Sequence, residues 1–373
     1  MYIYQLPDWP RFTWQADQLE VLLGTVRHQQ GQLLGQLQAL GFTLQTEARV
    51  QALTLEAVKS SEIEGELLPA GQVRSSIARR LGLPSAGLPA PERRVEGVVA
   101  MLLDATGQYT QPLSAERLCA WQAALFPGGR GGELRRIRVG TWRGGERGAM
   151  QVVSGPAGRE QVHFEAPPAE AVPALMAEFL TWFNDGPPLD AVLKAGLAHL
   201  WFVTIHPFED GNGRVARALT DLQLARADGS AQRFYSLSAQ LRLERAAYYA
   251  QLEAAQRGSL DVTAWLAWFV GCLGRALAAT AGQLAQVLVK AHFWQQHQAL
   301  PLSERQRQLV NRLLDGFTGK LTSSKWATIA KCSQDTAARD IQALIGYGLL
   351  EKEAAGGRST SYRLRLPAAD ALS

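Results

Sequence analysis

The sequence predicts a mainly α-helical chain with one β-hairpin set between helices and a small helix-and-strand module at its C-terminal end. Three observations carry this. Apolar residues recur at helical spacing through most of the chain, as in Leu19, Leu22, Leu23, Val26, Leu33, Leu34, Leu37 and Leu40. Two short β-prone runs, MQVVSG and QVHFEA, flank Pro156, Ala157, Gly158 and Arg159, the pattern of a hairpin with a longer loop. Residues 304–366 read as three helices followed by two strands.

Taken in order, a helix is expected over Ala16 to Gly41, with Gly41 as its stop, and a second over Glu47 to Val58 leading into SSEIEGELL. Pro84, Gly87, Pro89 and Pro91 mark a connection near residues 82–92. Helical spacing resumes between Arg93 and Leu125, and the Gly- and Arg-rich stretch after it reads as a long loop. Helices return at about Pro168 and continue to about Ala291. The last module has helices over Glu304 to Leu314, Ser324 to Ala330 and Gln334 to Ile345. Strands over Leu349 to Glu353 and Ser361 to Leu366 complete the order of a winged helix-turn-helix.

At 373 residues, two or three domains are expected. No uninterrupted apolar run approaches the roughly 20 residues of a membrane span, and MYIYQLPDWPRF lacks the regions of a signal peptide. A cytoplasmic protein with no membrane partner is therefore expected. Cys119, Cys272 and Cys332 are odd in number and widely spaced, which points to neither a disulfide framework nor a zinc site. The net charge is +4, yet Ser303 to Leu366 alone holds eleven Lys and Arg against six Asp and Glu. The basic character sits in the C-terminal module, where Arg339 and Arg358 are candidate phosphate contacts for DNA. Protein interaction is the equally open alternative for that module.

The chemistry concentrates in HPFEDGNGRVAR, residues 206–217, between helical runs over Asp190 to Thr204 and Gly213 to Ala227. A glycine-rich entry to a helix N-terminus binds anions, because free N–H groups and the helix dipole face the incoming charge. Asp210 sets a hard oxygen beside that nest, as Mg²⁺ bridging two phosphates requires. Arg214 and Arg217 bring forked guanidiniums to the phosphate charge. His206, with an unperturbed pKa near 6.5, suits the proton of an attacking hydroxyl, and Phe208 is expected to pin the loop to the core.

This segment resembles the Fic signature HxFx(D/E)GNGRxxR at every defined position. The resemblance implies a helical Fic core over residues 93–292, preceded by a helical N-terminal domain over 1–92 and followed by a winged helix over 300–368. It implies a protein adenylyltransferase that moves AMP from ATP, with Mg²⁺, onto a Ser, Thr or Tyr hydroxyl of a target protein, the enzyme itself included. By position, His206 is the implied general base, Asp210 the metal ligand, Gly211, Asn212 and Gly213 the phosphate nest, Arg214 a phosphate support and Arg217 the γ-phosphate arginine. Val152, Val153, Ser154 and Gly155 match a flap strand over the nucleotide, which in the family registers the target by strand addition. Tyr249, with Tyr248 the lesser choice, matches the adenine-pocket tyrosine.

Upstream, Ser60-Ser61-Glu62-Ile63-Glu64-Gly65 is similar to the family's inhibitory motif (S/T)xxxE(G/N). Glu64 is then expected to form a bidentate pair with Arg217 and take the charge meant for the γ-phosphate. The same glutamate leaves removal of AMP from a modified protein open, as a homodimer is left open for the N-terminal helices. Two alternatives stand beside this reading: a DNA-binding regulator acting through the winged helix, and a Fic transferase using another nucleotide donor.

Overall fold

In a computed structural model the described residues are 1–38, 40–83, 89–131, 136–146, 148–154, 159, 161–314, 317, 319–353 and 360–365. They fall into two compact units, Met1–Thr280 and Ala281–Ser373. The described chain is mainly helical, with two small antiparallel sheets.

The first unit opens with α1 (Ala16–Gln38), α2 (Phe42–Ile63) and α3 (Ala70–Arg80). Gly41 does not stop α1, which ends at Gln38. It stands instead at the N-cap of α2 in an extended conformation, φ −63° and ψ 152°. α2 also runs further than Val58, through both serines of the SSEIEG run. It breaks only where Gly65 adopts φ 83°, a left-handed turn costly for side chains with a Cβ. Glu64 is therefore the C-cap residue, one step beyond the helix that carries Ser60.

The stretch from Arg93 to Leu125 divides into α4 (Arg93–Gly107) and α5 (Ala115–Leu125). Pro112 cannot continue a helix from its interior, and Ser114 caps α5 by accepting a bond from the Arg117 N–H. β1 (Gln151–Ser154) and β2 (Gln161–Glu165) follow, paired Val152 to Phe164 and Val153 to Val162, with a bulge between Val152 and Val153. Phe164 is buried against Tyr2 at 5.0 Å between ring centres, which fastens the hairpin to the N-terminal segment.

The centre of the unit is the pair α7 (Ala191–Ile205) and α8 (Asn212–Asp228), after α6 (Val172–Asp185). α7 is apolar on nearly every side and buried from Val192 onward except at Lys194, the pattern of a core helix. Asp190 caps it, accepting bonds from the N–H groups of Val192 and Leu193 at 2.8 and 3.2 Å. α8 is buried from Asn212 to Ala225 except at Gly213, including two arginines, which must therefore find partners inside the protein. α9 (Leu237–Leu243), α10 (Arg245–Arg257) and α11 (Thr263–Gln296) complete the helices that begin in this unit.

One correction concerns α11. Residues Thr263–Ala285 are long and apolar enough to cross a membrane by length and composition, where the sequence reading found no such stretch. Trp265, Leu266, Phe269, Val270 and Leu273 are all buried in the core, and Arg275 interrupts the run with a 2.6 Å pair to Glu244.

The second unit contains α12 (Glu304–Leu314), α13 (Ser323–Ala330), α14 (Gln334–Gly346) and the antiparallel strands β3 (Leu350–Lys352) and β4 (Tyr362–Leu364). Leu309, Val310, Trp326, Ile341, Leu344 and Leu349 form its core. Thr322 and Ser333 cap the second and third helices, and Arg305 reaches Asp340 from α12 to α14. Arg339 is exposed on α14, and Arg358 lies outside the described residues.

Candidate active site

The segment 206–211 is the turn between the two central helices, and its backbone explains its residues. His206 closes α7 in the left-handed region, φ 52° and ψ 58°, while its N–H still donates to the Phe202 carbonyl. Such a conformation is uncommon without glycine and persists only where neighbours enforce it. The enforcing neighbour is Arg143, 5% exposed, whose Nε donates to the His206 carbonyl at 2.8 Å and whose own N–H donates to the Pro207 carbonyl at 2.8 Å. Trp142 packs on the fully buried Phe208, with ring centres 5.0 Å apart.

The imidazole Nδ1 lies 3.3 Å from the Val203 carbonyl. A carbonyl only accepts, so Nδ1 carries the hydrogen and Nε2 keeps a lone pair. Burial pushes the ring down to about 4, with the Arg143 charge adding to it, against the opposing pull of the Val203 carbonyl, Glu64 and Asp210. At neutral pH His206 is an unprotonated acceptor, a weaker base than its ordinary value suggests but one always in the accepting form.

Gly211 starts α8 with φ 89°. Asn212 does not aim its side chain into the nest. Its amide closes the loop on itself, accepting from the Phe208 N–H at 2.9 Å and donating to the Phe208 carbonyl at 2.8 Å. What remains for an anion is the first turn's backbone N–H groups, which have no partner within a helix. Asp210 accepts from the Gly211 N–H at 2.6 Å and stands 3.5 Å from Arg214. A single carboxylate beside a phosphate nest suits Mg²⁺, which binds through one or two carboxylates plus substrate phosphates.

Arg217 is 2% exposed and already engaged. Its Nε donates to Ser60 Oγ at 2.9 Å, and its Nη2 donates to the Ser60 carbonyl at 2.7 Å and meets Glu64 Oε1 at 2.8 Å. Nη1 is buried without a hydrogen-bond partner. The expected bidentate pair is thus a single-point contact at Nη2, which the Ser60 carbonyl shares. The Glu64 carboxylate lies on Gly213, where a Cβ would overlap it. Arg214 meets Glu66 at 2.6 Å with its guanidinium 4.9 Å from the Phe126 ring centre.

A cavity of about 550 Å³ opens beside this cluster, lined by Glu64, Val152, Val153, His206, Gly213, Tyr248 and Tyr249 among others. Tyr248 is a core residue whose hydroxyl lies 2.7 Å from His199 Nε2. Tyr249 is the partly exposed ring, with the Arg245 guanidinium 5.0 Å over it. Ser154 ends strand β1, and Gly155 falls outside the described residues.

Behind the site His199 is fully enclosed, between Thr220 at 2.9 Å and Tyr248, and burial lowers its pKa from 6.5 to about 3. The folded chain therefore holds the neutral ring. Its contribution to stability is fully present above the unfolded value and is lost as pH falls from about 6.5 towards 3, at about 1.4 kcal/mol per pH unit. Thermal unfolding followed from pH 7 to 4 should fall more steeply in the native chain than in His199→Gln.

Residues 112–224 match the Fic/DOC family model. They form a Fic domain. Residues 2–83 match a separate family described only as a domain of unknown function (DUF4172). Over 56 residues the chain is 43% identical to a protein of Aquifex aeolicus named "Probable protein adenylyltransferase", covering 15% of this chain and 18% of that one. Over 93 residues it is 37% identical to protein adenylyltransferase fic-1 of Caenorhabditis elegans, covering 24% and 17%. The chain thus spans less than a fifth of the length of these curated relatives. A Fic family protein from Desulfovibrio desulfuricans G20 has a similar fold, with a TM-score of 0.53 at 21% identity, covering 95% of this chain and 98% of that one.

Within the Fic domain, Arg143 escapes sequence reading because it sits in a Gly- and Arg-rich stretch 63 residues from the histidine whose carbonyl it binds. Glu66 escapes because it lies just beyond the inhibitory pattern. An arginine flanked by Trp and Gly in an otherwise irregular loop is the only signal the first one gives.

Proposed function

We propose that this chain is a protein adenylyltransferase that transfers AMP from ATP to a Ser, Thr or Tyr hydroxyl of a protein. The observation that carries the reading is the α7–α8 turn, where the unprotonated His206 and the glycine-rich start of α8 line one cavity with Tyr249. Phosphates then rest on the N-terminal N–H groups of α8 and the base reaches Tyr249. His206 Nε2 takes the proton as the target hydroxyl oxygen bonds to the α-phosphorus and the bond to pyrophosphate breaks. Asp210 would hold Mg²⁺, which neutralises phosphate charge when bound. Val152 and Val153 of the hairpin offer an edge strand to an extended target segment.

In this reading Glu64 is a brake, and its contact with Arg217 and its cover over Gly213 support it. The order of helices and strands in the second unit supports a winged helix-turn-helix. A DNA role rests there on the module's excess of Lys and Arg and on Arg339, the one of the two candidate phosphate contacts that lies among the described residues and is exposed.

The test is the fate of each phosphate. A Glu64→Gly chain given ATP and Mg²⁺ should take up label from the α-phosphorus and none from the γ-phosphorus. Uptake from the γ-phosphorus would mean phosphoryl transfer and overturn the reading.

A further inference from the structure

From the last turn of α2 onward the chain carries glutamates at alternate positions, and each meets an arginine. Glu62 meets Arg242 at 3.0 Å, Glu64 meets Arg217 at 2.8 Å and Glu66 meets Arg214 at 2.6 Å. Arg214 and Arg217 are the two arginines of the glycine-rich loop and its helix, three residues apart and therefore neighbours on one side of α8. The inhibitory pattern ends at Gly65, so it says nothing of Glu66. Resting on the transferase reading, we infer that Glu66 is a second inhibitory carboxylate, competing with nucleotide phosphate for Arg214 as Glu64 does for Arg217.

The local geometry carries this. The Glu64 and Glu66 N–H groups both donate to the Ser61 carbonyl, at 3.1 and 3.0 Å, so one turn tethers both carboxylates to the end of α2. The Arg214 side chain is only 7% exposed, with Phe126 against its face, and its Nε is buried without a partner. Its edges are therefore where a phosphate must bind. Nη1 is taken by Glu66 at 2.6 Å, and Nη2 stands 3.5 Å from Asp210. A phosphate oxygen reaching Nη1 has to displace the Glu66 carboxylate first.

Glu66 is also suited to leave. Its side chain is 26% exposed, and its other cationic neighbour, Arg94, is 3.8 Å away and 44% exposed. A partly solvated carboxylate is held more loosely than a fully buried one, because water competes for it. One segment thus neutralises both arginines at once. Releasing Glu64 alone leaves half of the phosphate charge site occupied.

The experiment compares wild type, Glu64→Gly, Glu66→Gln and the double variant, using direct binding of ATP and of inorganic tripolyphosphate together with label transfer from the α-phosphorus. Glu66→Gln keeps the side chain's size, and thermal melting reports whether each variant is folded. We expect Glu66→Gln to bind both probes more tightly than wild type by roughly three- to tenfold. The double variant should exceed Glu64→Gly in label transfer by a similar factor. Unchanged or weaker binding, or a double variant no faster than Glu64→Gly, would show that Glu66 only holds Arg214 in place and would overturn the proposal. Tighter binding of both probes with no label in any variant would sustain the competition at Arg214 while refuting adenylyl transfer.

Discussion

Replacing His206 by Ala in the Glu64→Gly chain is expected to cut label transfer by about a hundred- to ten-thousandfold, the range that a positioned general base contributes. ATP affinity should change little. The ring's Nδ1 is committed to the Val203 carbonyl, which leaves Nε2 as the acceptor of a residue that lines the cavity, and no described contact ties the ring to Arg214 or Arg217, the arginines that the proposed reading assigns to phosphate. The loss should therefore fall on turnover and spare KM. The ring's pKa near 4 adds a second signature. Between pH 6 and 8 the rate should show no inflection from His206, because it is already in its accepting form. A loss that fell on ATP binding instead would assign His206 to the substrate's phosphates, and the base would have to be sought elsewhere in the cavity.

What the sequence discloses here depends on how far apart the cooperating residues lie. The loop 206–217 is legible because its parts are neighbours in the chain. A left-handed glycine, a helix start, a carboxylate and two arginines within twelve positions describe their own geometry. Helix boundaries are less so. Gly41 has equal standing as a stop or a start by composition, and only the packing of α2 decides for the start. Least legible are charges satisfied across long separations. Glu56 accepts from Ser236 Oγ and the Ser238 N–H at 2.7 and 3.0 Å, and the Arg233–Asp221 pair lies beside it, all five residues nearly inaccessible to water. Nothing in a helix pattern around Glu56 announces partners 180 residues away. Arg143 and Glu66 belong to the same class. Their residue types are ordinary and their roles come entirely from where the fold delivers them. Asn212 shows the reverse case, a residue singled out by its motif for the phosphate nest whose side chain serves the loop's own backbone.

Glu64→Gly should raise label transfer over wild type by roughly ten- to a hundredfold, the range expected when a charge-assisted contact worth about 1.5–3 kcal/mol stops competing with substrate. The change does two things at once. It frees Arg217 Nη2 on its Glu64 side and uncovers Gly213, where the carboxylate now lies. It also has a cost that can be measured separately. Arg217 is 2% exposed and would keep only the Ser60 oxygens, so a buried cation loses its counter-charge. Removing one partner of a fully buried pair costs about 3–5 kcal/mol. Glu64 is 31% exposed, so water screens this pair and the loss should be smaller. The variant's melting temperature should fall below that of wild type, and saturating ATP should restore more of it in the variant than in the native chain, because at a given concentration a ligand stabilises the folded state more the more tightly it binds. A variant that melts lower, regains nothing with ATP and gains no activity would mean that Glu64 is a structural counter-ion for Arg217 and that the brake reading of this contact is wrong.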